Sequence, residues 1–340
     1  MTVPQIVEDL SELVEEQLRS VAERCAAPLY RLVAFEMGWQ DETGEPAYHA
    51  AGLRTSAAFC LLACQAVAGA HQGALPGAAA VEFINSFVQV HGDVQAGTPN
   101  RGGRPTVWWQ WGPAQAINAG DAIHALARLS LMKLQDNDVA DEKVLEALAM
   151  LDRATLRFCE GQHQDLTYQE RLTVSEDTYL KMVDDKAGAL LGCTLALGAF
   201  LGGAEANIVS AFDEAGRKLG MAFQVRRDLL DLWPVDDHAQ AFSSDVLNKK
   251  KSLPVIHGFA ALEPSKKREL GNYYLKRVLE PQDAKEVAEV LERLGARQYA
   301  EEMTQRLVDE ALALLDETLL PAEGLEGLKK LARFCGAEGF

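Results

Sequence analysis

Two carboxylates, Asp228 and Asp231, stand at i and i+3 in RRDLLD, directly after the guanidinium pair Arg226 and Arg227. Acids at that spacing share a helix face, where they can hold a divalent cation or pair with the arginines beside them. Gln224 lies one turn upstream on the same apolar-periodic segment. Lys186 opens an 18-residue stretch, Ala187–Ala204, that carries no charge at all. A bare ammonium in that position either snorkels to water or meets an anionic ligand. Asp93 stands alone among the acids of HGDVQAG. The histidines, His91 and His163 included, form no metal constellation. Cys60 and Cys64, at i and i+4 in an apolar run, read as core packing. No CxxC or Cys/His spacing points to zinc or a disulfide framework, so a reducing cytoplasm is expected.

The elements that must position these residues are helical. Val7, Leu10, Leu13, Val14 and Leu18 form one apolar stripe on an acidic segment, which reads as a helix and not as a signal peptide. Similar periodicity covers Ala50–Gly69, Gly77–His91, Trp111–Gln135, Asp141–Gln162, Ser175–Gly203, Asn207–Trp233, Leu253–Leu262, Glu286–Leu294 and Tyr299–Leu315. Ser175 before Glu176 and Asp177, and Pro264-Ser265 before Lys266, mark helix starts. No run alternates with period two between turn signals, so no sheet is expected. The uncharged stretch Ala187–Ala204 reads as a buried helix, with no stable membrane span. Two polar loops, Gly92–Thr106 and Pro234–Lys251, join long helices, and loops of that length usually carry function. In the second, Asp236-Asp237 reads as a solvated pair. The expected architecture is all-α, a single domain over residues 1–340 with loose ends at 1–4 and 336–340.

Lys and Arg number 33 against 50 Asp and Glu, a net charge of 33 − 50 = −17, which argues against nucleic-acid or anionic-membrane partners. An anionic ligand would need a local cluster of cations working against the global field.

Several spaced motifs supply such a cluster, and together they make the chain resemble the polyprenyl synthetase (trans-isoprenyl diphosphate synthase) family. LGMAFQVRRDLLD (Leu219–Asp231) is similar to the family's LG-x-AFQ-x-x-DD-x-LD helix. EGQHQDL (Glu160–Leu166) and VSEDTYLKMVDDKAGALLG (Val174–Gly192) resemble its GQ-x-x-DL and Y-L-x-M-x-x-x-KT segments. RGGRPT (Arg101–Thr106) resembles the RRG-x-PT loop, and AINAGDAI (Ala116–Ile123) the GD-x-L helix after it. VEFINSFVQVHGD (Val81–Asp93) resembles the lead into the first Asp-rich motif, and KKSLP (Lys250–Pro254) the GK-x-TLP element. The matches keep family order, and Tyr299–Cys335 resembles the closing helices. The resemblance implies an isoprenoid synthase fold, a helical barrel around a deep apolar cavity, and a homodimer.

It also implies a chemistry that this chain only partly retains. The family ionises an allylic diphosphate with three Mg²⁺ held by two facing Asp-rich motifs. Here the first motif keeps only Asp93 of its metal-binding positions, and in the second an Asp is replaced by Arg227, leaving Asp228 and Asp231. Four positions that serve isopentenyl diphosphate are Leu53, Ser56, Asn85 and Gly102. By contrast, the family's allylic-diphosphate residues map onto Arg101, Lys186, Gln224 and Lys250. Phe83, Phe87, Phe200 and Phe223 would line the cavity or pack the core. Phe87, five residues before Gly92, sits where bulk limits chain length and suggests a C15 to C20 ligand.

The expected activity is therefore class I terpene-synthase-like: one prenyl diphosphate ionised, then cyclised or captured by water. Arg101, Lys186, Arg227 and Lys250 would stabilise the leaving group, Gln224 would orient it, and Asp93, Asp228 and Asp231 would hold a reduced number of Mg²⁺ or none. The alternatives are an inactive or regulatory subunit paired with an active synthase, and prenyl transfer to a different acceptor.

Overall fold

The amphipathic N-terminal stripe winds into a helix, α1 (Val3–Ala22), whose Val7, Leu10, Val14 and Leu18 are buried. Leu13, read as part of that stripe, instead points outward and is 45% exposed. It sits one residue off the buried i, i+3, i+7 line. The computed structural model describes residues 3–47, 53–234, 244–261 and 267–338. Asp236-Asp237, Pro264-Ser265 and the Ala51-Gly52 pair lie outside them.

Along the chain follow α2 (Ala27–Glu36), α3 (Thr55–Ala68) and α4 (Leu75–Ala96), then a hairpin of β1 (Asn100–Arg101) and β2 (Arg104–Pro105). The next helices are α5 (Val107–Trp111), α6 (Pro113–Met132), α7 (Asp141–Gln169), α8 (Glu176–Val183), α9 (Ala189–Leu201) and α10 (Ala206–Leu232). The last are α11 (Ser244–Leu247), α12 (Leu253–Ala261), α13 (Lys267–Leu275), α14 (Pro281–Arg293), α15 (Ala296–Glu317) and α16 (Ala322–Glu338). The chain divides into two units, one of Met1–Arg153, Cys193–Phe212 and Leu319–Leu328, the other of Ala154–Gly192, Asp213–Thr318 and Lys329–Phe340.

In the first unit α4 runs along α6, with Gly120 of α6 seated against the His91 ring of α4. A Cβ at Gly120 would come within 2.2 Å of that ring. Cys60 and Cys64 are buried on α3, as core cysteines. Gly198 of α9 lies against the Cys60 carbonyl. No helix among the described residues is long and apolar enough to cross a membrane. The hairpin turn, Gly102-Gly103, has φ of +55° and +79°. Positive φ at both central residues matches the right-handed twist of a tight hairpin, and glycine adopts it without strain.

In the second unit a core of Val255, Phe259, Leu270, Val287 and Leu291 joins α12, α13 and α14. The segment read as one helix, Ser175–Gly203, begins as expected, with the Ser175 hydroxyl accepting from Thr178 N at 3.3 Å. It is interrupted by a π turn at Asp184–Gly188, in which the Ala189 amide reaches back to the Asp184 carbonyl. Close neighbours seat that turn. The backbone of Gly220 on α10 packs on the Ala187 carbonyl, where an added Cβ would lie 2.3 Å away.

Because that contact is with backbone, it has no flexible side chain to yield. Gly220→Ala should lower unfolding free energy by about 1–3 kcal/mol. Urea titration of the two proteins measures it, and equal midpoints would refute the close packing.

Candidate functional site

Lys186, Gln224, Asp228 and Lys250, drawn from separate motifs, line one pocket of the second unit. Asp165, Tyr179, Met182, Lys251 and Ser252 complete its wall. Tyr179, Met182 and Lys186 come from α8 and the π turn, Gln224 and Asp228 from one face of α10, and the lysines from the turn entering α12. The free space inside is only about 10 Å³, room for one water.

Asp228 is at the centre of this wall and is 4% exposed. One of its oxygens accepts from Gln224 Nε2 at 2.8 Å. The other accepts from the Tyr179 hydroxyl at 2.6 Å and the Leu253 amide at 3.2 Å. Leu253 is the first residue of α12, so Asp228 caps that helix from outside, satisfying an amide its own helix leaves unbonded. Burial first, and nearby Asp245 second, push the Asp228 carboxyl up to about 6.

The cations are already engaged. Lys186 Nζ lies 2.7 Å from Asp165 Oδ2, and Lys250 Nζ 2.6 Å from Asp245 Oδ1. Burial would raise the Asp165 pKa, but Lys186, Lys250 and Arg227 outweigh it and hold the carboxyl below its ordinary value. Burial draws Lys186 down while Asp165 pulls the other way. For Lys250, burial is outweighed by Asp245 and Asp165, which lift it above the usual lysine range. Lys251 is 4% exposed. It donates to the Lys249 carbonyl at 2.6 Å and lies over the Tyr274 ring at 4.9 Å. Burial, then Lys249, lower it to about 8.

The other candidate residues fall as follows. Arg227 is exposed on α10 and adds to the positive field at Asp165, Lys186 and Lys250. Asp231, one turn after Asp228, accepts from the Asp245 amide at 3.3 Å. Phe223 is buried. In the first unit, Arg101 pairs with buried Asp93, so each occupies the other. Close by, Glu36 is pushed up to about 7, by burial first and by Asp93 second. Phe87 is half-buried and lies edge-on to His91, ring centres 4.7 Å apart. Leu53 is exposed. Trp108 donates to the Thr98 carbonyl at 2.6 Å, securing the hairpin's base.

These donors do not fit a three-Mg²⁺ group. Among the described residues no three His, Cys, Asp or Glu side chains gather to hold a metal ion. Asp228 has both oxygens engaged by donors, Asp93 is under a guanidinium, and Arg227 brings a positive charge to the second motif.

A family model for polyprenyl synthetases matches residues 39–293. The chain belongs to the polyprenyl synthetase family. This member is 31% identical over 332 residues to a (2E,6E)-farnesyl diphosphate synthase of Mycobacterium tuberculosis, covering 95% of this chain and 90% of that protein. It is 31% identical to a short chain isoprenyl diphosphate synthase of Methanothermobacter thermautotrophicus, with 98% of each covered. The crystal structure of a polyprenyl synthetase from Streptomyces coelicolor A3(2) superposes with a TM-score of 0.88 at 32% identity, over 98% of this chain and 99% of that one. The all-α isoprenoid synthase fold expected from the motifs is the fold of this chain.

Five wall residues of this pocket were not singled out in the sequence, Ser252 of the quoted KKSLP motif among them. Tyr179 and Met182 stand at i−7 and i−4 from Lys186, a helical-face signal that could have found them. Asp165 lies inside the quoted GQHQDL motif. Lys251 carried no signal, because three successive lysines look alike until the chain folds.

The protonated form of Asp228 favours the fold, since its folded pKa of about 6 lies above the ordinary 3.8. That contribution is complete below the unfolded value and disappears as pH rises through the folded one, amounting to about 2–3 kcal/mol. Chemical denaturation at pH 5 and pH 7 should show wild type losing more stability than Asp228→Asn on going up. Identical losses would remove Asp228 as the source.

Proposed function

We propose that this chain binds one allylic prenyl diphosphate and ionises it without adding isopentenyl diphosphate. The observation that carries the reading is the pocket where Lys186, Gln224 and Lys250 converge beside Arg227, set against the replacement of metal-ligand and second-diphosphate positions elsewhere in the sequence. Two half-buried ammoniums and a guanidinium offer charge-assisted hydrogen bonds to one diphosphate. The relatives' names, farnesyl and short chain isoprenyl diphosphate synthases, support the ligand class.

In this reading the allylic carbon–oxygen bond breaks heterolytically and the leaving pyrophosphate takes the electron pair. Lys186, Lys250 and Arg227 stabilise the charge that develops on its oxygens, and Gln224 orients it. The allylic cation then closes on its own double bonds and loses a proton, or is captured by water, which gives up a proton. In either case the released pyrophosphate can take it. Asp165 and Asp245 must release their lysines as the diphosphate enters. Arg227 supplies directly a charge that a carboxylate would recruit through Mg²⁺. The part of Arg101, Phe87 and Asp93 rests on the resemblance alone. The reading includes a homodimer, which sedimentation tests.

A second reading is favoured by a different observation: both lysines are already neutralised, and the pocket holds about one water. A pairing subunit without chemistry would keep such a closed site. Incubation with geranyl, farnesyl and geranylgeranyl diphosphates separates the two. Release of pyrophosphate supports the enzyme, and its absence with all three supports the subunit.

Supplying isopentenyl diphosphate with an allylic partner should give no product longer by one five-carbon unit, as read by mass spectrometry. Efficient elongation would overturn the reading. Arg227→Ala should weaken diphosphate binding about tenfold or more, the effect of losing a charged hydrogen bond of about 1.5–3 kcal/mol. Binding in EDTA should persist for wild type. Calorimetric titration showing wild-type binding only with Mg²⁺, and no effect of the substitution, would remove Arg227 from the site.

A further inference from the structure

Lys186 sits in the middle of the π turn Asp184–Gly188. Such turns are rare and need something to hold them. The two acids immediately before Lys186 are bonded away from the pocket. Asp184 receives both ends of the Arg217 guanidinium, Nε at 2.8 Å and Nη2, and also Arg157 Nη2 at 3.4 Å. Asp185 receives Arg157 Nη2 and Lys181 Nζ, each at 2.8 Å. Arg157 belongs to α7 and Arg217 to α10, so two long helices grip the turn from outside. On the pocket side the Lys186–Asp165 pair crosses, again to α7. Gly161 of α7 lets that helix come close, since a Cβ there would be 2.8 Å from the Lys186 amide.

Stability is only part of the account. Asp185 is buried, but both arginine side chains are 35% exposed. Ion pairs open to water on one side contribute less to folding than enclosed ones. A planar fork on a carboxylate does fix orientation, which a single point charge does not. We propose that Arg217 and Arg157 are positioning residues that hold the π turn in the one register that aims the Lys186 ammonium into the pocket. The inference deepens the diphosphate reading and, for its functional arm, rests on it.

Two measurements on the full chain test it. The first needs no ligand: timed acylation of lysines by an amine-reactive ester, read by peptide mass spectrometry. Arg217→Met and Arg157→Met should raise Lys186 modification several-fold over wild type while lysines of the first unit, Lys133 among them, keep their rates. Arg217→Lys, which keeps the charge and loses the fork, should fall between. A merely structural loss would raise many lysines together and lower the unfolding midpoint in parallel. The second is titration with inorganic pyrophosphate. An ammonium no longer aimed into the pocket forfeits its charge-assisted hydrogen bond to the anion, so both Met variants should bind at least about tenfold more weakly than wild type. Should Arg217→Met not fold, Asp184→Asn takes its place with the same expectation. Unchanged Lys186 reactivity in the variants that fold overturns the clamp. Wild type that ignores pyrophosphate overturns the diphosphate reading instead, and the acylation result still decides the clamp.

Discussion

The carboxylate of Asp228 is the joint on which the second unit's site is built. It binds Tyr179 of α8, Gln224 of its own helix and the first amide of α12. Those three donors hold separate chain segments around one buried atom group. Lys250, Lys251 and Ser252 immediately precede the capped amide, so the pocket's cations take their place from the same bond. An acid that the family pattern marks as a metal ligand is thereby kept by a structural duty. Its survival in the motif says little by itself about metal chemistry.

The run Lys249-Lys250-Lys251 divides its labour by environment. Lys249 adopts φ of +55° just after α11, a left-handed turn that lets the Lys250 amide return to the Asp245 carbonyl at 2.8 Å. Lys250 then reaches Asp245 in the pocket, while Lys251 folds back on the Lys249 carbonyl and seals the turn over Tyr274. Three identical side chains thus serve as backbone turn, charged anchor and buried brace.

Much of this was legible in the sequence, for physical reasons. The helices with strong apolar periodicity, α4, α6, α7 and α10 among them, emerge where their patterns lie, and Ser175 caps as its type dictates. The motifs grouped Arg101, Lys186, Gln224 and Lys250 as one diphosphate subsite. Lys186, Gln224 and Lys250 line one pocket, joined there by Asp228, which the motifs gave a metal role, while Arg101 pairs with Asp93 in the first unit. What escaped depends on tertiary contact. The π turn arises because α7 and α10 press glycines against it, and no local propensity encodes that. α4 passes Gly92 and stops at Gly97, where φ of +65° ends it. The hairpin at Gly102-Gly103 is too short to show alternation. Arg101 and Asp93 carried opposite roles in the motif reading, and only the fold shows them paired.

On the proposed reading, self-paired lysines also set how a diphosphate would arrive. From a distance Lys186 and Lys250 present ion pairs of no net charge, with exposed Arg227 as a local cation beside them, on a chain of net −17. A diphosphate approaching from beyond the Debye length, roughly 8–10 Å at physiological salt, therefore feels the global repulsion first. The pull of the lysines begins only when Asp165 or Asp245 swings aside. Encounter is opposed by the long-range field and rewarded by the short-range one, so ionic strength acts on the two stages in opposite directions. Salt screens the barrier to entry while it weakens the bound state, and a modest ionic strength hastens the arrival of the very ligand that high ionic strength releases.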